Sequence, residues 1–190
     1  MRVQRVGAKL RRYFHYYPGT VAVIGVLDPE KESRANFMPA VWNAGLSFAP
    51  PLFGVAVSPK RHSYRLLAER RPFSVSFFSF EHAELVAALG GTSGREIDKV
   101  KAFGLEVGWG EALEVPLLPG AFAAYELEFW NQVPTGDHDL FVGRVRAVWE
   151  DEAAFDEEGV PTPDRVPALL YYGRFLYGHP APITRRLKKP

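Results

Sequence analysis

Lys60, Arg61, His62 and Ser63 stand in a row directly after a strand-like run, a grouping of residue types that suits an anion. Two cationic side chains, a hydroxyl able to cap a helix and the free N–H groups of that helix would take a phosphate monoester. A solvated basic loop with an ordinary cap would read the same way, so both remain open on this feature. Just upstream, "NFMPAVWNAGLSFAPPLFGVAVS" carries Met38, Trp42, Phe48 and Phe53 beside Ser47 and Ser58. A flat heterocycle with a phosphate tail needs an apolar wall, backbone groups to read its edges and a cationic anchor. Residues 36–64 hold all three, although core packing also accounts for the aromatic residues.

Two further groups could do chemistry. In "GDHD", Asp137 beside His138 could serve acid–base work, or Asp137 could simply bond its own backbone in a turn. Lys99 in "IDKVKAFG" is either functional or a solvated helix lysine. Other chemistries lack their signatures. The sequence has no G-x-x-x-x-G-K-[ST], no G-x-G-x-x-G after a strand and no G-x-S-x-G. Its five histidines, His15, His62, His82, His138 and His179, are dispersed, and no metal site is expected. The absence of cysteine excludes disulfides, thiolate metal centres and a cysteine nucleophile.

The elements that must position these residues follow from periodicity and turn chemistry. "TVAVIGVL" reads as a first strand closed by Asp28-Pro29, with Glu30 to Arg34 as a hairpin tip. "NFMPAVWNAGLSFA" returns as one extended segment, with Pro39 pointing to an edge or a bulge. Pro50-Pro51 resets the chain into "LFGVAVS". "SYRLLAER" reads as a short helix capped by Ser63. "PFSVSFF" reads as a strand, followed by helices "FEHAELVAALGG" and "REIDKVKAFG" stopped by glycine. "YELEFW" alternates with Glu126 and Glu128 toward solvent. "DLFVGRVRAVWE" places Phe141, Val145, Ala147 and Trp149 on one face. Pro134 to Asp137 joins these two as a hairpin loop, and "ALLYYG" is the last strand. About seven strands and three short helices, with the strands consecutive, predict a mainly β fold: an antiparallel barrel with flanking helices.

Composition sets the outer limits. Residues 1–190, 47% hydrophobic and 24% charged with a net charge of +1, read as one soluble domain. So balanced a charge argues against nucleic acid or a membrane surface as partner, and the basic pairs Arg11-Arg12, Arg185-Arg186 and Lys188-Lys189 read as solvated tails. No run reaches the length of a membrane span, and no cleavage pattern marks a leader, so the expected location is cytoplasmic.

Taken in order, Pro18-x-x-Val21, Asn36-x-Met38, Trp42, Ser47 with Pro50-Pro51, Ser58 with Lys60, His62 and Ser63, Phe73-x-Val75, Asp98-Lys99, Gly136-Asp137-His138 and Tyr172-Gly173 resemble the flavin reductase-like family of FMN-binding split-barrel proteins, flavoredoxins included. The likeness runs from Tyr17 to Gly178. It implies a six-stranded antiparallel Greek-key split barrel and a homodimer with one FMN per subunit. The resemblance lays Asn36, Met38, Pro39, Ala40, Val41, Trp42 and Ser47 along the flavin ring and ribityl chain. It assigns the phosphate to Ser58, Lys60, Arg61 and Ser63. Pro39 departs from the family pattern, in which a hydroxyl residue is common. The activity implied is an NAD(P)H-dependent flavin oxidoreductase. A non-catalytic FMN carrier or store, and a flavin-free barrel for another aromatic ligand, are the alternatives.

Overall fold

In a computed structural model the described residues are 18–181; the basic terminal pairs and His15 lie outside them. Among the described residues the strands are β1 (Gly19–Thr20), β2 (Ala22–Leu27), β3 (Ala35–Ala40), β4 (Asn43–Phe48), β5 (Pro51–Val57) and β6 (Phe73–Phe77), then β7 (Gly108–Trp109), β8 (Pro116–Leu117), β9 (Ala123–Pro134), β10 (Asp139–Glu150), β11 (Leu170–Gly173) and β12 (Leu176–Gly178). The helices are α1 (His62–Ala68), α2 (Ala83–Gly91) and α3 (Lys99–Ala102). Seven strands form the main antiparallel sheet in the order β3-β2-β6-β9-β10-β5-β4.

That order explains the overall curvature. β3 and β4 are separated by two residues, yet they occupy opposite edges of the sheet. Since each residue spans at most about 3.6 Å, the two edges must come close together, and the sheet must curl. Val41 and Trp42 cross the gap, and Trp42 O accepts a 2.8 Å hydrogen bond from Ala56 N of β5. The segment read as one continuous strand is therefore two strands. Pro39 does lie on an edge strand, where its missing N–H costs no ladder bond.

Strand β2 is apolar throughout because it is covered on both faces. Ala22, Ile24 and Val26 pack with Val55, Val57, Phe73, Leu127 and Phe141 inside the curl, along with Leu66 and Leu67 of α1. Val21 and Val23 face a second cluster with Phe37, Phe78, Val86, Leu89 and Val100, which seats α2 and α3. Burial of this kind contributes about 1.5–3 kcal/mol per large side chain. The run "TVAVIGVL" also divides between two sheets, since Thr20 of β1 pairs with Leu170 of β11.

Several local expectations change in three dimensions. α1 begins at His62 with Arg61 as its N-cap residue, and no side chain caps it. Ser63 lies inside the helix, where its Oγ accepts a 2.7 Å bond from Asn36 Nδ2. Helix α3 is shorter than "REIDKVKAFG" because Asp98 caps it, accepting from Val100 N and Lys101 N.

Glu126, expected in solvent, is fully buried. It accepts from Glu111 N, Ala112 N and Leu113 N at 2.7–2.9 Å and from Trp149 Nε1 at 2.8 Å. A register shift between Val145 and Ala147 reverses the alternation of β10. Val145 therefore packs on the core whereas Trp149 reaches Glu126 on the other face.

Candidate functional site

The fold opens a cleft of about 430 Å³ where the β3–β4 crossing, the end of β5 and the segment after α2 meet. Met38, Pro39, Ala40, Val41 and Trp42 form one wall. The cleft can form beside them because β3 is an edge strand whose outer backbone side has no neighbour in the sheet. Ala56, Val57 and Ser58 lead into the loop carrying Lys60 and Arg61, both exposed at the cleft. Leu89 and the stretch Gly90 to Gly94 form the opposite side, with Lys99 among the lining residues.

Each chemically active group here has a definable environment. Lys99 is 4% exposed, and its Nζ donates to Phe37 O at 2.9 Å and to Leu89 O at 2.6 Å. Burial pushes its ammonium down to about 8, with the nearby Arg61 charge acting the same way. His138 lines the cleft from the β9–β10 hairpin, its ring centroid 4.5 Å from that of Trp42 and tilted by 57°. Its Nδ1 lies 2.8 Å from Asp137 Oδ1, and that hydrogen bond holds the Asp137 carboxyl below its usual range.

The hairpin is itself tied down. Asp139 Oδ2 accepts from Tyr64 Oη at 2.7 Å and from Gln132 Nε2 at 2.6 Å, and the bond to Asp139 raises the Tyr64 phenol.

Of the residues expected at the site, Met38, Pro39, Ala40, Val41, Trp42, Ser58, Lys60, Arg61 and Ser63 line this one cleft. Asn36 stands behind it, 2% exposed and bonded to Ser63. Ser47 is on β4, away from the cleft lining. Of the aromatic residues named with it, Phe53 is a core residue and Phe48 projects fully into solvent. His62, Lys99 and His138, also singled out in the sequence, line it too, and the fold adds Tyr171 and the Gly90–Gly94 segment. The latter's signal, "GGTSG", stood in the sequence as a cluster of small and hydroxyl residues after a helix. The arrangement offers a cleft of mixed apolar and polar lining that holds the Trp42–His138 aromatic pair, the exposed cations Lys60 and Arg61 and a buried ammonium.

The flavin reductase like domain pattern matches residues 14–178. The chain belongs to that family. A crystal structure of an FMN-binding protein from Thermus thermophilus with bound 1-cyclohex-2-enone is 51% identical, covers 98% of this chain and 100% of its own, and superposes with a TM-score of 0.88. An uncharacterized protein of Aeropyrum pernix is 34% identical over 161 residues, 84% of this chain. The chain spans 60% of the length of that relative. An NADH-dependent flavin reductase of Rhodococcus sp is 26% identical over 143 residues, 75% of this chain and 77% of the relative. The flavin reductase-like fold is the expected mainly β split barrel, here with seven strands in the main sheet rather than six. Among its described residues, no helix is long and apolar enough to cross a membrane.

Proposed function

We propose that the protein binds FMN in the cleft and uses it to oxidise NADH or NADPH, passing the electrons to a flavin or another small acceptor. The observation that carries this reading is the joining of an aromatic pair, Trp42 and His138, to an exposed cationic pair, Lys60 and Arg61, within one cleft. The donor set fits a flavin mononucleotide: an apolar strand for a ring, hydroxyls at Ser58, Thr92 and Ser93 for a polyol, and cations for a phosphate. Bound FMN supplies hydride and electron transfer. The chain's residues bind and orient it. Met38 to Trp42 wall the ring, Lys60 and Arg61 hold the phosphate, and Lys99 adds positive charge to the cleft. The Thermus thermophilus FMN-binding protein and the Rhodococcus flavin reductase support the cofactor and the donor respectively.

A second observation bears on the acceptor. The Thermus protein has been crystallised with both 1-cyclohex-2-enone and p-hydroxybenzaldehyde. The reading extends to small planar carbonyl compounds as occupants of the same cleft in this chain. A homodimer is also proposed, supported by the exposed Leu46 and Phe48 on edge strand β4, whose burial against a second copy would remove apolar surface from water.

The deciding experiment is the visible spectrum of the purified protein before and after adding FMN, with riboflavin as the control. Flavin absorption retained through gel filtration with FMN, and weakly with riboflavin, is expected. Subsequent NADH and NADPH oxidation separates an oxidoreductase from an FMN carrier, which would show the bands without turnover. A protein that retains no FMN overturns the reading.

A further inference from the structure

Asp28 and His62 form a buried pair that the proposed chemistry does not use. Asp28 is fully buried, and His62 is 7% exposed. His62 Nε2 donates to Asp28 Oδ2 at 2.7 Å. The other side of the imidazole is equally confined: a Cβ on Gly94 would lie 2.6 Å from His62 Cδ2 and overlap the side-chain oxygen of Asn36. Asn36 in turn donates to Ser63 Oγ. A second tie runs outside the first, where Arg65 makes a two-pronged ion pair with Glu30 at 2.8 and 2.9 Å.

His62 is thus the point where the β2–β3 turn, strand β3 and the segment after α2 press on the start of α1. Lys60 and Arg61 immediately precede it and are exposed at the cleft. Long cationic side chains on a loose loop lose much of their binding energy to ordering entropy, so a rigid base under them raises affinity.

We propose that Asp28 and His62 are positioning residues for the phosphate of the bound cofactor, fixing the backbone from which Lys60 and Arg61 reach it. The inference rests on the FMN reading above and adds the device that makes the cationic pair selective for phosphorylated flavin. Asp28 is not part of the cleft lining; His62 is, with its Nε2 engaged by Asp28. Their effect passes through the loop, so it falls on the phosphate and spares the ring.

The test is a titration of the full-length protein and of Asp28→Asn and His62→Gln with FMN and with riboflavin, read by flavin fluorescence, alongside thermal unfolding without ligand. The expected result is a rise of about ten-fold in the FMN Kd, with the riboflavin Kd within about two-fold of wild type. Asp28→Asn is nearly isosteric and lies off the cleft lining. It tests the idea should His62→Gln fail to fold. Equal weakening for both flavins would reduce the pair to a general fold determinant and overturn the proposal, as would unchanged FMN affinity in folded variants. A wild type that binds both flavins equally would instead bring down the phosphate reading, and this proposal with it.

Discussion

The ring of His138 lies 4.5 Å from the indole of Trp42, and this pair makes the aromatic side of the cleft. One comes from a hairpin tip, the other from the crossing between two sheet edges, and β5 brings them together: Ala56 N donates to Trp42 O, and the neighbouring Val57 pairs with Asp139. A ring-binding role has a distinct signature. Trp42→Ala should weaken FMN and riboflavin alike, by about ten-fold each, because stacking on an aromatic face contributes about 1–3 kcal/mol without regard to the phosphate. Isothermal titration with both flavins checks this. Loss confined to FMN would put the ring elsewhere.

The complementary change acts at the other end. Replacing Lys60 and Arg61 with Ala should weaken FMN binding by ten-fold or more, since charge-assisted bonds contribute about 1.5–3 kcal/mol each. Riboflavin should bind as before. The effect should shrink as salt is raised, because both cations are exposed and screened. FMN affinity that ignores both the substitution and the salt would mean that the phosphate sits away from this loop.

Lys99 predicts a pH dependence whose sign is fixed by the direction of its shift. Its ammonium is pushed from 10.5 down to about 8 in the fold, so the unfolded chain binds more protons between those values. Stability contributed by this residue therefore rises as pH climbs from about 8 toward 10.5, and below pH 8 its burial is a cost. The full swing is on the order of 3 kcal/mol. Melting temperatures of wild type and Lys99→Met between pH 7 and 10.5 should diverge in favour of wild type at the alkaline end, on top of any change common to both. Parallel profiles would show that the buried ammonium does not titrate in this range.

Glu126 is a stability determinant remote from the cleft. Its carboxylate accepts three backbone N–H groups and an indole N–H, so Glu126→Gln turns an amide donor toward donors and removes the charge that strengthens them. A loss of about 3 kcal/mol in denaturant unfolding is expected, with hydrogen exchange rising first at residues 111–113. FMN affinity of the folded variant should not change. An undiminished midpoint would mean that solvent readily replaces these bonds.

Much of the architecture was legible in the chain. Strands β2, β5, β6, β9 and β10 are runs of apolar or alternating residues bounded by Asp28-Pro29, Pro50-Pro51 and Thr135-Gly136, and local chemistry alone sets such boundaries. The cationic row at Lys60-Arg61 was equally plain, because composition in sequence suffices to identify it. What a linear reading could not supply were facts that depend on which surfaces meet. Glu126 alternates with apolar neighbours as a solvated residue would, and only the folding of residues 111–113 over that face supplies the N–H groups that make its burial favourable. Trp149 shares the period of Phe141, and a single extra residue in the ladder sends it to the other face.

The site divides along the same line. The residue types a flavin phosphate needs, and their order between Asn36 and Ser63, are properties of the chain itself. Whether Lys99 is solvated or buried, whether His62 Nε2 is held by an aspartate, and whether Ser47 reaches the cleft were decided by long-range packing. An isolated helix lysine and one sealed beneath Phe37 and Leu89 have the same neighbours in sequence; they differ in the water around them. Desolvation and hydrogen-bond partners come from segments distant in the chain, and those exist only once the sheet has curled.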